Sequence, residues 1–396
     1  MLLFPHYCGT LSWLVAFPYL IANHIGQASG LSWKEGNLDF TGAQMVLTLK
    51  LVAIAMCYQD GNRGREVELR EYARTKKLDR LLTPLEYYSY LFATGNLLSG
   101  PFFEARDYLD FIERKGVWSQ QDGERTVPQR PPWGSGLYRF FKALMCAAVW
   151  MYGSHLGFTV EFIESRKWQE DLPLLWRILS LWATVVIYRF KYYFVWGVAE
   201  AALIFSGFGF NGYDEGNRPR WDRYINSRIR KVELNPSLAD TPRHWNICTG
   251  LWLRHYVYER LTPINKKPSF VNMVITQLVS GIWHGVFAGY WLFFLSTAFM
   301  FQASRTIYRY EQSWRPAYRD FLPWVLIKVI GTALVLNYGG AAFIFLSFAE
   351  TLQIWRAVYF FGHIVVFSLL LMGTVLPPKT KRKAPRMEAA AEGFTM

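Results

Sequence analysis

Between Phe270 and Phe301 the chain carries no Asp, Glu, Lys or Arg, yet a histidine stands in the middle of the run, at Gly281-Ile282-Trp283-His284-Gly285. A run of this kind belongs in hydrocarbon, where backbone groups must be satisfied within a helix. As one helix it would measure about 48 Å at 1.5 Å per residue, too long for a simple crossing of a core about 30 Å thick. Its imidazole would lie near mid-bilayer, where an ionisable group costs several kcal/mol and marks function by default. The plainer reading is a buried histidine that only hydrogen-bonds a neighbouring helix. Gly281, Gly285 and Gly289 recur every four residues through the run. That spacing fits close helix packing through small residues, or a flat surface along which a substrate chain passes beside His284.

Further apolar segments of roughly the 20 residues needed to span a bilayer are Leu2–Ile21, Gly42–Tyr58, Tyr138–Phe162, Leu172–Phe190, Tyr192–Phe210, Leu322–Phe348 and Leu352–Leu376. Leu85–Phe103 is interrupted at Gly95-Asn96 and Gly100-Pro101 and reads as a broken or re-entrant helix. Eight to nine membrane segments and no soluble domain are expected. Composition agrees: charged residues are 18% of the 396, against about 25% in average usage. The 17 Trp and 23 Tyr suit a protein with two water–lipid interfaces. Lys50, alone in its apolar segment, is expected to snorkel or to face other helices. Leu2–Ile21 has neither a basic n-region nor a small-residue cleavage site, so a removable signal peptide is not expected. Cys8, Cys57, Cys146 and Cys248 show no metal or disulfide spacing and read as small buried hydrophobes.

The net charge of +13 is concentrated: seven Lys/Arg between Arg63 and Arg80, six between Arg218 and Lys231, five between Lys379 and Arg386. These runs flank apolar spans, which fits cytoplasmic loops and anionic headgroups. No basic–aromatic module for nucleic acid is present, so that partner class is excluded. One membrane domain over 1–378 and a basic, disordered, cytosolic tail over 379–396 are expected.

A second informative stretch runs from Arg243 to Leu261. Leu251, Trp252, Tyr256 and Val257 recur at helical spacing among Arg254, His255, Glu259 and Arg260. In isolation this is an amphipathic interfacial helix with aromatics toward lipid. Asn246 at its start could be an N-cap and nothing more.

Taken together, Trp245-Asn246, Trp252 to Leu261, Val279-Ser280-Gly281-Ile282-Trp283-His284-Gly285 and Gly289-Tyr290 resemble the membrane-bound O-acyltransferase family. Within it the chain is similar to the lysophospholipid acyltransferases, most of all the plant-type lysophosphatidylcholine branch. Cys57-Tyr58-Gln59-Asp60-Gly61, Pro84-Leu85-Glu86-Tyr87 and Ser99-Gly100-Pro101-Phe102-Phe103-Glu104 fit the same branch. The resemblance covers about Tyr58 to Leu376. It implies an all-α, polytopic membrane bundle with broken or re-entrant helices enclosing a tunnel, in the endoplasmic reticulum membrane. It also implies a catalytic pair mapping onto His284 and Asn246. The family has additional N-terminal membrane segments, so its first helices are expected to be missing here.

The residue types suit that chemistry. Acyl transfer from a coenzyme A thioester needs the acceptor hydroxyl deprotonated as it attacks, a task for a neutral imidazole. A side-chain amide such as Asn246 can donate to the carbonyl oxygen as charge develops, or orient the substrate. Gly-x-Ser-x-Gly is absent, and no His–carboxylate pair has metal spacing. No metal or cofactor is expected; acyl-CoA is a co-substrate, and lysophospholipid and membrane lipids are the other partners. Coenzyme A must stay in water while acyl chains belong in lipid, so the site must open both to the cytosol and laterally to the bilayer. Trp245, Trp283, Tyr256 and Arg243 are candidates to line the substrate path. Basic residues of Arg218–Lys231, with Arg243, Lys266 and Lys267, are candidates for the phosphates. Two alternatives stay open: another acceptor, such as a diacylglycerol, sterol or peptide, and a non-catalytic transporter or scaffold.

Overall fold

A computed structural model describes residues 4–28, 40–64, 67–119, 128 and 132–377. Among them the chain is helical, with two isolated β-bridges and no strand. The helices that position the site are α1 (Cys8–Ala28), α2 (Thr41–Gly61), α3 (Trp133–His155), α4 (Leu174–Phe205), α5 (Ile247–Leu253), α6 (Phe270–His284), α7 (Ala288–Glu311), α8 (Leu322–Phe345), α9 (Phe348–Ala357) and α10 (Phe361–Val375). The expected tail over 379–396 lies outside the described residues.

Among the described residues, fewer helices are long and apolar enough to cross a membrane than the apolar segments suggest. Thr41–Gly61, Trp133–Glu164, Leu174–Phe205 and Leu322–Phe345 are long and apolar enough, and α9 with α10 make a fifth if that pair, bent by 78°, is one span. The difference from eight to nine has specific causes. Leu172–Phe190 and Tyr192–Phe210 are one helix, α4, because no Gly or Pro stands between them and Arg189 is paired in place. Phe270–Phe301 divides into α6 and α7. Leu85–Phe103 is a short helix, Pro84–Leu91, followed by turns.

Lys50 explains how that broken segment is held. It neither snorkels nor meets lipid: it is fully buried, and its ammonium donates to Tyr90 O (2.8 Å), Leu91 O (3.1 Å) and Asn96 Oδ1 (3.0 Å). Two of these acceptors are carbonyls at the end of Pro84–Leu91, which have no partner within their own helix. Asn96 Nδ2 in turn donates to Pro101 O (2.8 Å). One cation thus satisfies the break in the backbone, as burial demands.

The stretch after Asn246 departs from the interfacial helix expected of it. It forms α5 and a π-helical turn, Arg254–Tyr258, with Trp252, Tyr256 and Val257 buried in protein rather than lipid. Polar tips find partners inside. Trp252 Nε1 donates to Leu49 O (3.0 Å), the Tyr256 hydroxyl to Glu104 Oε2 (2.8 Å), and Arg260 grips the Asp60 carboxylate with both Nη atoms. Such satisfaction is what makes burial of these groups tolerable. The four cysteines are free and buried, as their apolar settings suggest.

Candidate active site

α6 is capped by Ser269, whose Oγ accepts from the Asn272 N–H (3.3 Å), and its last residue is His284. It stops there because Gly285 adopts φ 146°, a conformation open to glycine but strained for other residues. The break therefore carries the imidazole at a helix end, not in the middle of a span. Gly289 answers a different need. Its N–H donates to Leu346 O (2.6 Å), and a Cβ there would overlap the Ala342 carbonyl oxygen, so glycine lets α7 lie against α8. None of Gly281, Gly285 and Gly289 lines the cavity beside His284. The glycine spacing serves a break at Gly285 and a close contact at Gly289.

That cavity, about 190 Å³ in volume, lies among α4, α5, α6, α7 and α8. His284, Asn246 and Trp245 all line it. The His284 ring stacks on Phe294 (centroids 5.0 Å apart, planes 21°) and meets the edge of Phe343 at 4.9 Å. Trp245 packs edge-on against Trp196 (4.8 Å) and Tyr193 (5.4 Å). Aromatic walls of this kind hold an apolar chain without demanding hydrogen bonds from it.

Asn246 precedes α5 but makes no side-chain cap. Its backbone is left-handed, φ 46° and ψ 51°, which Asn tolerates better than most residues. Its side-chain Oδ1 accepts from Asn226 Nδ2 (3.1 Å). The plain capping reading does not describe this residue.

The other sequence candidates lie elsewhere. Trp283 is buried with its Nε1 donating to Met45 O (2.9 Å). Tyr256 is bound to Glu104 and contacts Cys57 Sγ (3.1 Å). Arg243 is exposed and pairs with Asp240 (3.3 Å). Within the basic run, Arg223 lies over Trp118 (4.6 Å) and reaches Asp107 (3.4 Å). His255, the other histidine of the Asn246 stretch, stacks flat on Tyr72 and bonds Glu259 (2.9 Å). Its burial pushes its pKa down against that partner. Among the described residues, no group of three or more His, Cys, Asp and Glu is placed to hold a metal ion.

Sequence reading missed the wall that α4 supplies: Arg189, Tyr192 and Trp196 line the cavity. Arg189 is neutralised there by Glu233 (2.6 and 3.0 Å) and donates to Asn337 Oδ1 (2.6 Å). The available signal was an arginine in an apolar run with no turn residue beside it, functional or paired by default.

The geometry can be set beside known proteins. A family model described as MBOAT, membrane-bound O-acyltransferase family, matches residues 27–340. Lysophospholipid acyltransferase 1 of Arabidopsis thaliana is 38% identical over 390 residues, 96% of this chain and 82% of that protein. Lysophospholipid acyltransferase 2 of the same plant is 36% identical, covering 96% and 81%. Membrane-bound glycerophospholipid O-acyltransferase 2 of Homo sapiens is 30% identical, covering 96% and 72%.

Proposed function

The chain belongs to the membrane-bound O-acyltransferase family, and we propose that it transfers an acyl chain from acyl-CoA to the free hydroxyl of a lysophospholipid of the lysophosphatidylcholine type. One observation carries the catalytic part: His284 ending α6 and Asn246 preceding α5 line the same aromatic cavity. The names of the relatives carry the acceptor class. Family membership sets the transporter reading aside.

In this reading His284, as a neutral imidazole, takes the hydroxyl proton while the oxygen attacks the thioester carbonyl. The Asn246 side-chain NH2 donates to the carbonyl oxygen as it gains negative charge. The C–S bond then breaks, and the coenzyme A thiolate leaves with the proton that His284 held. The products are a diacyl phospholipid and free coenzyme A. The thioester is already activated, so the enzyme forms no covalent intermediate. The paired Arg189 carries no net charge with Glu233, which keeps the wall compatible with an acyl chain.

Purified protein given labelled acyl-CoA and a panel of lysophospholipids, diacylglycerol, sterol and peptide is expected to label the lysophospholipids, lysophosphatidylcholine foremost. Label passing to diacylglycerol, sterol or peptide instead would move the acceptor to that class. The same reading puts the protein in the endoplasmic reticulum membrane with its Lys/Arg-rich end in the cytosol. A tag placed after Met396 should be removed by protease from intact microsomes; a protected tag overturns that orientation.

A further inference from the structure

Asn246 does not choose its own orientation. Asn226, buried at 1% exposure, faces it across a short zipper of backbone contacts. Ser227 bridges Trp245, the Arg228 N–H donates to His244 O (2.9 Å), and Asn226 O accepts from the Ile247 N–H (2.9 Å). The Asn226 side chain is fixed end for end. Its Oδ1 accepts from the Cys248 N–H (3.0 Å), and a backbone N–H can only donate, so the atom it meets must be the oxygen. The opposite end is then the NH2, 3.1 Å from Asn246. A donor there requires that Asn246 present its own oxygen, which leaves the Asn246 NH2 as its remaining end.

We infer that Asn226 is a positioning residue for acyl transfer: it holds the Asn246 amide in the one orientation that offers a donor to the substrate. The inference rests on the reading of Asn246 as that donor. The support continues outward. The Asn226 N–H donates to Glu200 Oε1 (2.8 Å), and Glu200, itself buried on α4, pairs with Arg139 of α3 (2.5 Å). The chain Arg139–Glu200–Asn226–Asn246 therefore anchors a half-buried loop amide to two membrane helices. A buried chain of hydrogen bonds and an ion pair of this kind restrains the groups it touches.

Asn226→Asp tests this apart from a merely structural role. The new carboxylate still accepts from the Cys248 N–H, so the zipper keeps that bond. Its second oxygen cannot donate to Asn246, and the amide turns over to give its NH2 to the carboxylate, showing the substrate an oxygen. Protonation restores a donor, an O–H that can bond the Asn246 oxygen. The charged groups facing position 226 are Glu200 and its partner Arg139; burial and the neighbouring Glu200 raise the pKa of the new carboxyl, and Arg139 opposes them. Turnover at pH about 8 should fall about a hundredfold, the loss of one oxyanion donor, with KM for acyl-CoA changed less than about threefold. The ratio of variant to unsubstituted activity should rise at least about tenfold on going to pH about 6, as the carboxyl protonates. The ratio cancels the titration of His284, which both proteins share. Turnover within a few fold at the higher pH, or a loss that does not ease at the lower one, overturns the inference. Asn246→Ala, measured alongside, separates the two levels. If it keeps near-normal turnover, the donor reading fails and takes this inference with it. If it is inactive while Asn226→Asp is normal, only the positioning role falls.

Discussion

His284→Ala is expected to lower turnover by about 10²–10⁴, the usual contribution of a positioned general base, while insertion into the membrane and yield of folded protein stay unchanged. The structure explains why the two effects separate. Among the described residues no hydrogen bond is formed by the His284 ring, whose neighbours are Phe294, Phe343, Tyr290 and Trp283. Truncation therefore orphans no buried donor or acceptor, the usual cause of severe instability. It also opens into an existing cavity rather than creating one in a packed core. The helix stop does not depend on the imidazole either, since Gly285 supplies it. Steady-state turnover and thermal unfolding of the purified variant check both halves. Normal turnover in folded protein would sink the general-base role. A variant that fails to accumulate would show instead that the imidazole is needed for packing.

What could be read from the chain, and what could not, follows from the range of the interactions involved. The break within Phe270–Phe301 was legible because length alone forbids one straight span. His284 was legible as a candidate because an isolated imidazole among apolar residues is costly wherever it lies. The continuity of α4 was not. Arg189 and Lys191 look like a loop until Glu233, 44 residues away, is seen to neutralise the arginine within the helix. Lys50 allowed two local answers, snorkelling or facing other helices, and only its acceptors at Tyr90, Leu91 and Asn96 in another segment decide for the second. The Arg243–Leu261 stretch shows the limit of periodicity. Its apolar face has helical spacing, but spacing cannot say whether that face meets lipid or protein. The partners at Leu49, Glu104 and Asp60 decide for protein. Asn246 became a catalytic candidate only through its resemblance to family motifs; its left-handed backbone and its bond to Asn226 are written in no local pattern.

Asn246→Asp is expected to lower turnover at least about a hundredfold with expression and thermal stability nearly unchanged. The substitution isolates one atom. Aspartate tolerates the left-handed backbone that Asn246 adopts, so no strain is added. It also keeps an oxygen to accept from Asn226 Nδ2, so the zipper partner is not lost. Only the NH2 is exchanged, for an oxygen carrying negative charge where the tetrahedral oxygen must become negative. A lost oxyanion donor costs about 10²–10³ in rate; a lost helix cap would cost roughly 1 kcal/mol of stability and leave the rate alone. Asn246 makes no cap bond to lose, so the stability effect should be smaller still. Single-turnover acyl transfer with saturating acyl-CoA, set beside the unfolding temperature, reads the two quantities independently. Near-normal turnover with aspartate would mean that no amide donor acts on the carbonyl oxygen, and the burden of catalysis would then rest on His284 and on how the aromatic walls hold the thioester against the acceptor hydroxyl.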